Sequence, residues 1–397
     1  MTVGAAHDIM DLLAERRNAL LDLARDHGAG SVAVFGFGSA LGAGSASHGA
    51  LRFFSGWDGH ESLSLLLTSA EGARLIVGSP FMLPLARETR PDLIVEHVPP
   101  LGWGKALAAH LQGAPVATVG FGELPRQIDA ALTQSRIAIG PVLDEAAARL
   151  RLVKDEHAIA LHRDAAALCD VLFGRLGAEL AGRRPAWEIQ LSLETEARRR
   201  GADYCRTWLT IAPAADYPRY WPAETRRVPE HGDQVLFGIA LTVDGHWGHG
   251  IRMGSIGPQK AEHGELAGHV EAMLAAGLAA LRPGLPLAGA EQAMEAVLAE
   301  RVDVCDHQNI RRFRNGHGLG FSYEEPLTTA VFRQHFDPDV PPAAASDLVL
   351  APGMLFELHP NLFVPDLGGA ALGEMVLVTP DCPECLLHHP RACQSWD

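Results

Sequence analysis

Four side chains of the kind that bind metals stand close together near the C-terminus of this 397-residue sequence. Cys382, Cys385, His389 and Cys393 follow the spacing C-x2-C-x3-H-x3-C. Thiolates and imidazoles are the usual ligands of a tetrahedral zinc ion. Free thiols, or the edge of a C-terminal strand, are the favoured interpretation of the same residues. A zinc ion held there would stabilise the fold and would not take part in catalysis.

The histidines are the second group of residues that could bind a metal or take part in catalysis, because the chain contains 19 of them. Several occur in short motifs of the second half that follow one another in a fixed order. These motifs are RLVKDEHAIALHRDA (151–165), PRYWPAETRRVPEHGDQVLFGI (218–239), DGHWGHGIRMG (244–254), GHGLG (316–320) with Glu324, Glu325 and Pro326 behind it, PGMLFELHP (352–360) and GGAALGEMVLVT (368–379).

The elements of the first 145 residues predict an α/β domain with a mixed sheet. Residues 8–27 have the apolar spacing of a helix. Short apolar runs between turn residues then predict strands. The runs are 31–37, 51–57, 62–68, 73–78 and 93–98, followed by two more that alternate with helical patterns at 104–112 and 123–134.

A long amphipathic segment at 146–181 marks the predicted domain boundary, so the domains are 1–145 and 146–397. Beyond it, helical patterns at 187–200, 262–281 and 288–302 separate β segments with an antiparallel pattern. The β segments lie at 204–212, 233–243, 246–256, 349–358 and 374–379. Helices interleaved with hairpins indicate an α+β domain.

Composition excludes several classes of partner. With 33 Lys+Arg against 48 Asp+Glu, the formal charge of −15 disfavours nucleic acid and acidic lipid surfaces. The N-terminus lacks the unbroken apolar stretch of a signal peptide. We therefore expect a soluble cytoplasmic protein with a small-molecule substrate.

The order of the motifs resembles the creatinase, prolidase and aminopeptidase P family, whose C-terminal domain has the pita-bread fold. FFSGW at 53–57 is similar to part of that family's N-terminal domain, so the resemblance spans nearly the whole chain. It implies an α/β N-terminal domain followed by an α+β pita-bread catalytic domain. It also implies a homodimer, in which Trp57, Asp58, His60 and Glu61 would line the partner's pocket; a surface loop explains those residues equally well.

The departures from the family fall on its chemistry. The metallopeptidases of the family hold two metals with two Asp, one His and two Glu. The residues of this chain at those five positions are, in chain order, Gly238, His249, His317, His359 and Gly373. Glu374 stands next to the last position, and the family's catalytic His falls on Arg219.

The resemblance thus leaves three histidines, His249, His317 and His359, around one metal position, while both positions that would complete the second site are glycine. Three imidazoles suit one divalent transition metal, with Fe or Zn first and Mn, Ni or Cu as alternatives. Loss of the original ligands through decay, as in a metal-free relative or an inactive scaffold, is the competing interpretation.

These departures lead us to expect a non-peptidase enzyme that cleaves a C–N or related bond of a small carboxylate-bearing substrate, with the metal activating water or a carbonyl. They argue against dipeptidase activity. Arg219 or Arg252 would bind the anionic group, and Trp57 and His60 are further candidates for substrate binding. Glu324, Glu325 and Glu374 are the candidate proton carriers. The alternatives are a three-His non-haem iron oxygenase, a metal-free creatinase-like hydrolase and an inactive binding scaffold.

Overall fold

The computed structural model of the protein describes residues 3–213, 226–300, 310–332, 334, 348–364 and 367–397, with only the backbone over 3–8. The chain divides into two compact units. The N-terminal unit is Met1–Arg151 with Gly320–Pro326, and the C-terminal unit is Leu152–Leu319 with Leu327–Asp397. The predicted boundary at 145/146 lies inside the helix Asp144–Leu152.

The N-terminal unit is an α/β structure with a mixed sheet. Its strands are β1 (Ser31–Phe37), β2 (Leu63–Ser69), β3 (Gly72–Val77), β4 (Ile94–His97), β5 (Val116–Val119) and β6 (Ile139–Val142), in the spatial order β4-β3-β2-β1-β5-β6. Its helices are α1 (Val3–Asp26), α2 (Ser39–Gly42), α3 (Ala46–Ser55), α4 (Leu83–Thr89), α5 (Trp103–Leu111), α6 (Arg126–Gln134) and α7 (Asp144–Leu152). Parallel pairing of β1 with β5 and antiparallel pairing of β1 with β2 confirm the predicted mixed sheet.

The strand predicted at 51–57 is wrong, because residues 46–55 form α3. The side chain of Ser45 accepts a hydrogen bond from the backbone N–H of His48 and so caps the N-terminus of the helix. Gly56 ends the helix in the left-handed region, with φ 66°. The apolar run LRFFSGW is therefore a buried helix rather than a buried strand, a distinction that hydrophobicity alone does not make.

The C-terminal unit is an α+β structure, as predicted. Its helices are α8 (Glu156–Ala181), α9 (Ala186–Arg199), α10 (Ala261–Ala280), α11 (Ala288–Ala299) and α12, which starts at the boundary residue (Pro326–Thr329). Its strands are β7 (Tyr204–Pro213), β8 (Asp233–Val243), β9 (His246–Ile256), β10 (Gly316–Gly318), β11 (Leu355–Leu358), β12 (Asn361–Val364), β13 (Gly368–Ala371), β14 (Glu374–Leu377), β15 (Glu384–Cys385) and β16 (Gln394–Trp396).

Two four-stranded sheets of the C-terminal unit carry the residues of interest. One has the order β16-β9-β8-β7 and the other the order β10-β11-β14-β15. A bridge between Ile251 and Gly373 joins β9 to the residue preceding β14. This bridge makes β9 of the first sheet a neighbour of β14 of the second. A large cluster of buried apolar side chains packs around these strands.

None of the described helices combines the length and the apolar character that crossing a bilayer requires.

Candidate metal site

A tight hairpin between β8 and β9 sets the position of His249. Asp244 and Gly245 form its turn with φ 44° and 74°, the left-handed pair typical of two-residue hairpins. The turn pairs Val243 with His246 and, three residues further along β9, Ala240 with His249. Since side chains alternate along a strand, this register places His249 and Ile251 on one face and Arg252 on the other.

His317 and Glu357 are direct partners in the antiparallel pair β10–β11. Side chains of directly opposite residues lie on the same face of a sheet, a few ångströms apart. The imidazole and the carboxylate are therefore neighbours by strand register, and both are completely or almost completely buried.

His359 follows β11 two residues after Glu357, so the period of two turns it to the same face. Its backbone is held at both polar groups. The N–H donates to the carbonyl of Asn315 over 2.7 Å, and the carbonyl accepts from Nδ2 of Asn361 over 3.0 Å. Hydrogen bonds to both backbone groups thus fix the main chain that carries this imidazole.

The three imidazoles and one carboxylate form a single buried cluster. Ring centroids of His317 lie 5.6 Å from those of His249 and 5.2 Å from those of His359, and the third separation is 5.8 Å. Oε2 of Glu357 contacts Nδ1 of His249 and lies 3.7 Å from Nε2 of His317. The structure therefore brings together the three histidines singled out from the sequence and adds a glutamate.

Burial controls the charge of the cluster. Loss of water lowers the pKa of His249 well below its usual value, and the neighbouring His317 and His359 lower it further. The pKa of His359 is likewise well below its usual value, again mainly through burial and then through His317. Both rings are thus neutral near pH 7, which is the form that binds a metal.

The donor set fits a divalent transition metal. One ligand atom each from His249, His317 and Glu357 lies within 4.8 Å of the other two. Both carboxylate oxygens of Glu357 are buried without a hydrogen bond, as is Nδ1 of His359. A buried carboxylate in that condition is costly unless a cation compensates it, and two imidazoles with one carboxylate are common ligands of Zn²⁺ and Fe²⁺.

Glu357 was not predicted from the sequence. The resemblance directed attention to His359, the residue at a ligand position of the family. The signal was present two residues earlier, where an acidic residue interrupts the apolar strand LFEL. Since residues two apart on a strand share a face, a glutamate at 357 had to face the same space as His359.

Arg252 and Glu374 lie on the opposite faces of their strands. The guanidinium of Arg252 donates to the carbonyls of Gly373 (2.5 Å) and His389 (3.0 Å) and stacks over Phe173. Glu374 accepts from Nε of Arg391 over 2.9 Å and from the N–H of Leu387 over 3.2 Å. The pKa of Glu374 is raised, because the effect of burial exceeds the opposing effects of Arg252 and Arg391. These contacts belong to packing of the C-terminal segment.

The remaining predicted site residues lie in the N-terminal unit or outside the described part of the chain. Glu325 forms a buried ion pair with Arg151 over 2.9 Å, and Glu324, partly buried, lies beside it in the sequence. Trp57 is 2% exposed and donates from Nε1 to Ser64. The side chain of His60 is 45% exposed. Arg219 falls outside the described residues.

The cysteine-rich tail does not form a second cluster of this kind among the described residues. Cys382 is exposed, and burial raises the pKa of Cys385 and raises that of Cys393 to about 12. The latter two are therefore thiols, as expected of free cysteines.

A protein-family model and a curated relative both match this chain. The family model "Metallopeptidase family M24" matches residues 160–380. The "Probable dipeptidase PepE" of Mycobacterium tuberculosis is 27% identical over 297 residues, which cover 72% of this chain and 73% of the relative. These matches confirm the resemblance to the creatinase, prolidase and aminopeptidase P family.

Solved structures match the fold over nearly the whole chain. Dipeptidase PepE from Mycobacterium ulcerans superposes with a TM-score of 0.75 at 21% identity, covering 97% of this chain and 98% of that one. X-Pro aminopeptidase from Thermotoga maritima superposes with a TM-score of 0.78 at 18% identity, covering 96% and 99%. The predicted α/β domain followed by a pita-bread domain is confirmed.

The predicted function is corrected by the same findings. A non-peptidase enzyme for small carboxylates, with an oxygenase, a metal-free hydrolase or an inactive scaffold as alternatives, is contradicted, because the matched family is one of metallopeptidases and the curated relatives are named dipeptidases. The expectation of no dipeptidase activity was wrong because ligands lost at the family's positions are offset by a carboxylate from another position, that of Glu357.

Proposed function

Because the chain belongs to metallopeptidase family M24, we propose that it is a metal-dependent dipeptidase. One observation carries the proposal: His249, His317 and Glu357 present three ligand atoms within 4.8 Å of one another in a buried cluster. The dipeptide substrate is taken from the names of the relatives that match most of the chain.

His249, His317 and Glu357 would hold the metal, for which Zn²⁺ or Fe²⁺ is our first choice and Mn²⁺, Ni²⁺ or Cu²⁺ an alternative. When bound, the metal would supply Lewis acidity toward the scissile carbonyl and would lower the pKa of water. The neutral state of His249 favours this role, since no proton has to leave the ring before it binds a cation.

His359 would carry the proton in this reaction. Its ring lies 5.2 Å from that of His317, and its Nδ1 is buried without a hydrogen bond. A neutral imidazole can take a proton from the attacking water and deliver it to the leaving amine. This assignment gives His359 a role beside the ligands, which differs from the ligand role expected from the sequence.

The test combines metal content with peptide hydrolysis. We expect about one equivalent of a divalent metal in untagged wild-type protein, and release of free amino acids from a panel of Xaa-Pro and other dipeptides but not from their N-acetylated forms. His317→Ala should lose both metal and activity. His388→Ala is the matched control, because that side chain is 86% exposed. A metal-loaded wild type that hydrolyses no dipeptide would refute the proposal.

We also propose a homodimer, with the segment 57–61 at the partner's site. Of the two residues of this segment that were predicted to bind substrate, Trp57 is buried, while the side chain of His60 is 45% exposed. His60 also holds a left-handed backbone with φ 48°, and its N–H donates to Asp58 over 2.8 Å. Analytical ultracentrifugation tests the dimer. His60→Ala should raise KM for the dipeptide while kcat changes little, and an unchanged KM removes the segment from the site.

A further inference from the structure

Gly373 lies beside the metal cluster, and its backbone conformation does not require glycine. Among the described glycines, those with positive φ do not include Gly373. Its φ is therefore on the side of the Ramachandran map that residues with a side chain ordinarily occupy. The reason for a glycine at this position is therefore the space around it.

A side chain at 373 would meet the carboxylate of Glu357. A Cβ built on Gly373 lies 2.4 Å from Oε1 of Glu357, well inside van der Waals contact. The same Cβ lies 2.6 Å from the backbone nitrogen of Ile251. The carboxylate thus occupies the volume directly above the α-carbon of the glycine.

The backbone of Gly373 is held on both sides, so it has little freedom to withdraw. Its N–H donates to the carbonyl of Ile251 over 3.0 Å, and its own carbonyl accepts from Nη1 of Arg252 over 2.5 Å. Glu357, in contrast, is a side chain with three rotatable bonds and has no hydrogen bond at either oxygen. When a Cβ is added, the carboxylate can turn away from it, whereas the contact with the backbone nitrogen of Ile251 can be relieved only by a shift of the main chain.

We infer that Gly373 is a positioning residue, whose missing side chain provides the space in which Glu357 serves as a metal ligand. A side chain at 373 and a metal-binding carboxylate at 357 exclude each other. The inference rests on the proposed metal site and adds to it a residue that contacts neither metal nor substrate.

The first measurement is Co²⁺ binding to metal-free protein, followed by its visible d–d absorption. Gly373→Ala should weaken binding by at least about tenfold, because moving one ligand of a site costs as much as losing its supporting hydrogen bonds. Gly369→Ala is the matched control. Its Cβ would meet Phe363 at 2.7 Å in the same unit, so it tests packing without touching the carboxylate and should leave Co²⁺ affinity unchanged. Equal affinity of Gly373→Ala and wild type overturns the inference.

The second measurement does not depend on metal. In metal-free protein, Gly373→Ala should lower Tm by about 5 °C, and by clearly less when Glu357→Ala has already removed the carboxylate. The same loss in both backgrounds would assign the clash to Ile251 and overturn the inference. If wild type binds no Co²⁺, the metal proposal fails, but this coupling between positions 373 and 357 still decides whether they compete for space.

Discussion

Two buried charged clusters lie on opposite faces of β9 and of the sheet that contains β11 and β14, and they differ in how many hydrogen bonds their carboxylates accept. On one face, both oxygens of Glu357 are buried without a hydrogen bond. On the other, Glu374 accepts from Arg391 and from the N–H of Leu387, and Nη2 of Arg252 lies 3.5 Å from Oε2. Both glutamates are fully buried.

The difference separates a structural carboxylate from one available to a ligand. Buried polar groups in folded proteins are almost always hydrogen-bonded, so an exception calls for an explanation. Glu374 needs none, because its donors hold the C-terminal segment against the sheet. Glu357 has no hydrogen bond at either oxygen and lies against two imidazoles, and a cation shared among the three would supply the missing compensation.

Breaking the hydrogen-bonded cluster should have the largest effect. Arg252→Met removes a buried donor from Glu374 and from the carbonyls of Gly373 and His389. We expect the free energy of unfolding to fall by about 3–5 kcal/mol, because one partner of a buried ion pair is left behind. Urea unfolding followed by tryptophan fluorescence measures it. Adding Glu374→Gln should restore part of the loss, and a single variant within about 1 kcal/mol of wild type contradicts the structural role.

Glu357→Gln should have the opposite effect, weakening metal binding without destabilising the metal-free protein. Metal affinity should fall at least about a hundredfold, or about 2.7 kcal/mol, because a charged ligand becomes neutral. The metal-free protein should be as stable as wild type or more stable, since a buried uncompensated charge disappears. Competition with a chromophoric chelator gives the affinity, and thermal unfolding in EDTA gives the stability. If the metal-free variant is markedly less stable, Glu357 belongs with Glu374 as a structural carboxylate.

The sequence alone predicted much of the fold around the metal site but not Glu357, the carboxylate ligand. The hairpin β8–β9 and the helices of the C-terminal unit follow from period and turn residues such as Asp244 and Gly245. His249 and His317 were found by position in the family's motifs. Glu357 was not found, because a family resemblance matches residues one position at a time. In the structure, a side chain missing beside one strand is replaced by a side chain from the neighbouring strand.

Gly373 is the clearest example of a residue whose role could not be predicted from the sequence. In sequence it is a lost acidic ligand, and the loss suggested a lost activity. Only the register of β11 against β14, with Glu357 opposite Met375 and the glycine just before the strand, shows what fills the space. The pattern LFEL indicates the face on which Glu357 lies, but the position of its carboxylate next to Gly373 depends on how β11 pairs with β14.

His162 is a buried histidine outside the metal cluster, and its burial should make the stability of the protein depend on pH. His162 is fully buried; one ring nitrogen bonds the carbonyl of Trp247 over 2.8 Å and the other has no hydrogen bond. Burial, and then Lys154, lower its pKa to about 3. Because the folded pKa is below the unfolded one, the unfolded chain takes up the proton first and stability falls between about pH 6.5 and pH 3.

The size of this effect follows from the gap in pKa. At pH 5 the loss should be about 2 kcal/mol relative to pH 7. His162→Gln keeps a polar side chain that can bond Trp247 and removes the titration, so its stability should depend less on pH by that amount. Urea unfolding at both pH values in EDTA measures it. Identical pH dependence in variant and wild type would mean that other groups cause the acid loss.

The smallest effect is expected where a charged pair is exposed. Arg163 on α8 and Glu384 on β15 approach to 2.7 Å, a distance as short as those in the buried cluster, but their side chains are 49% and 42% exposed. Water already solvates both charges, so Arg163→Ala should change the free energy of unfolding by less than about 0.5 kcal/mol, and less still in high salt. Thermal unfolding at low and high NaCl checks this. A loss comparable to that of Arg252→Met would show that ion pairs stabilise this unit regardless of burial, and would remove the distinction drawn between Glu374 and Glu357.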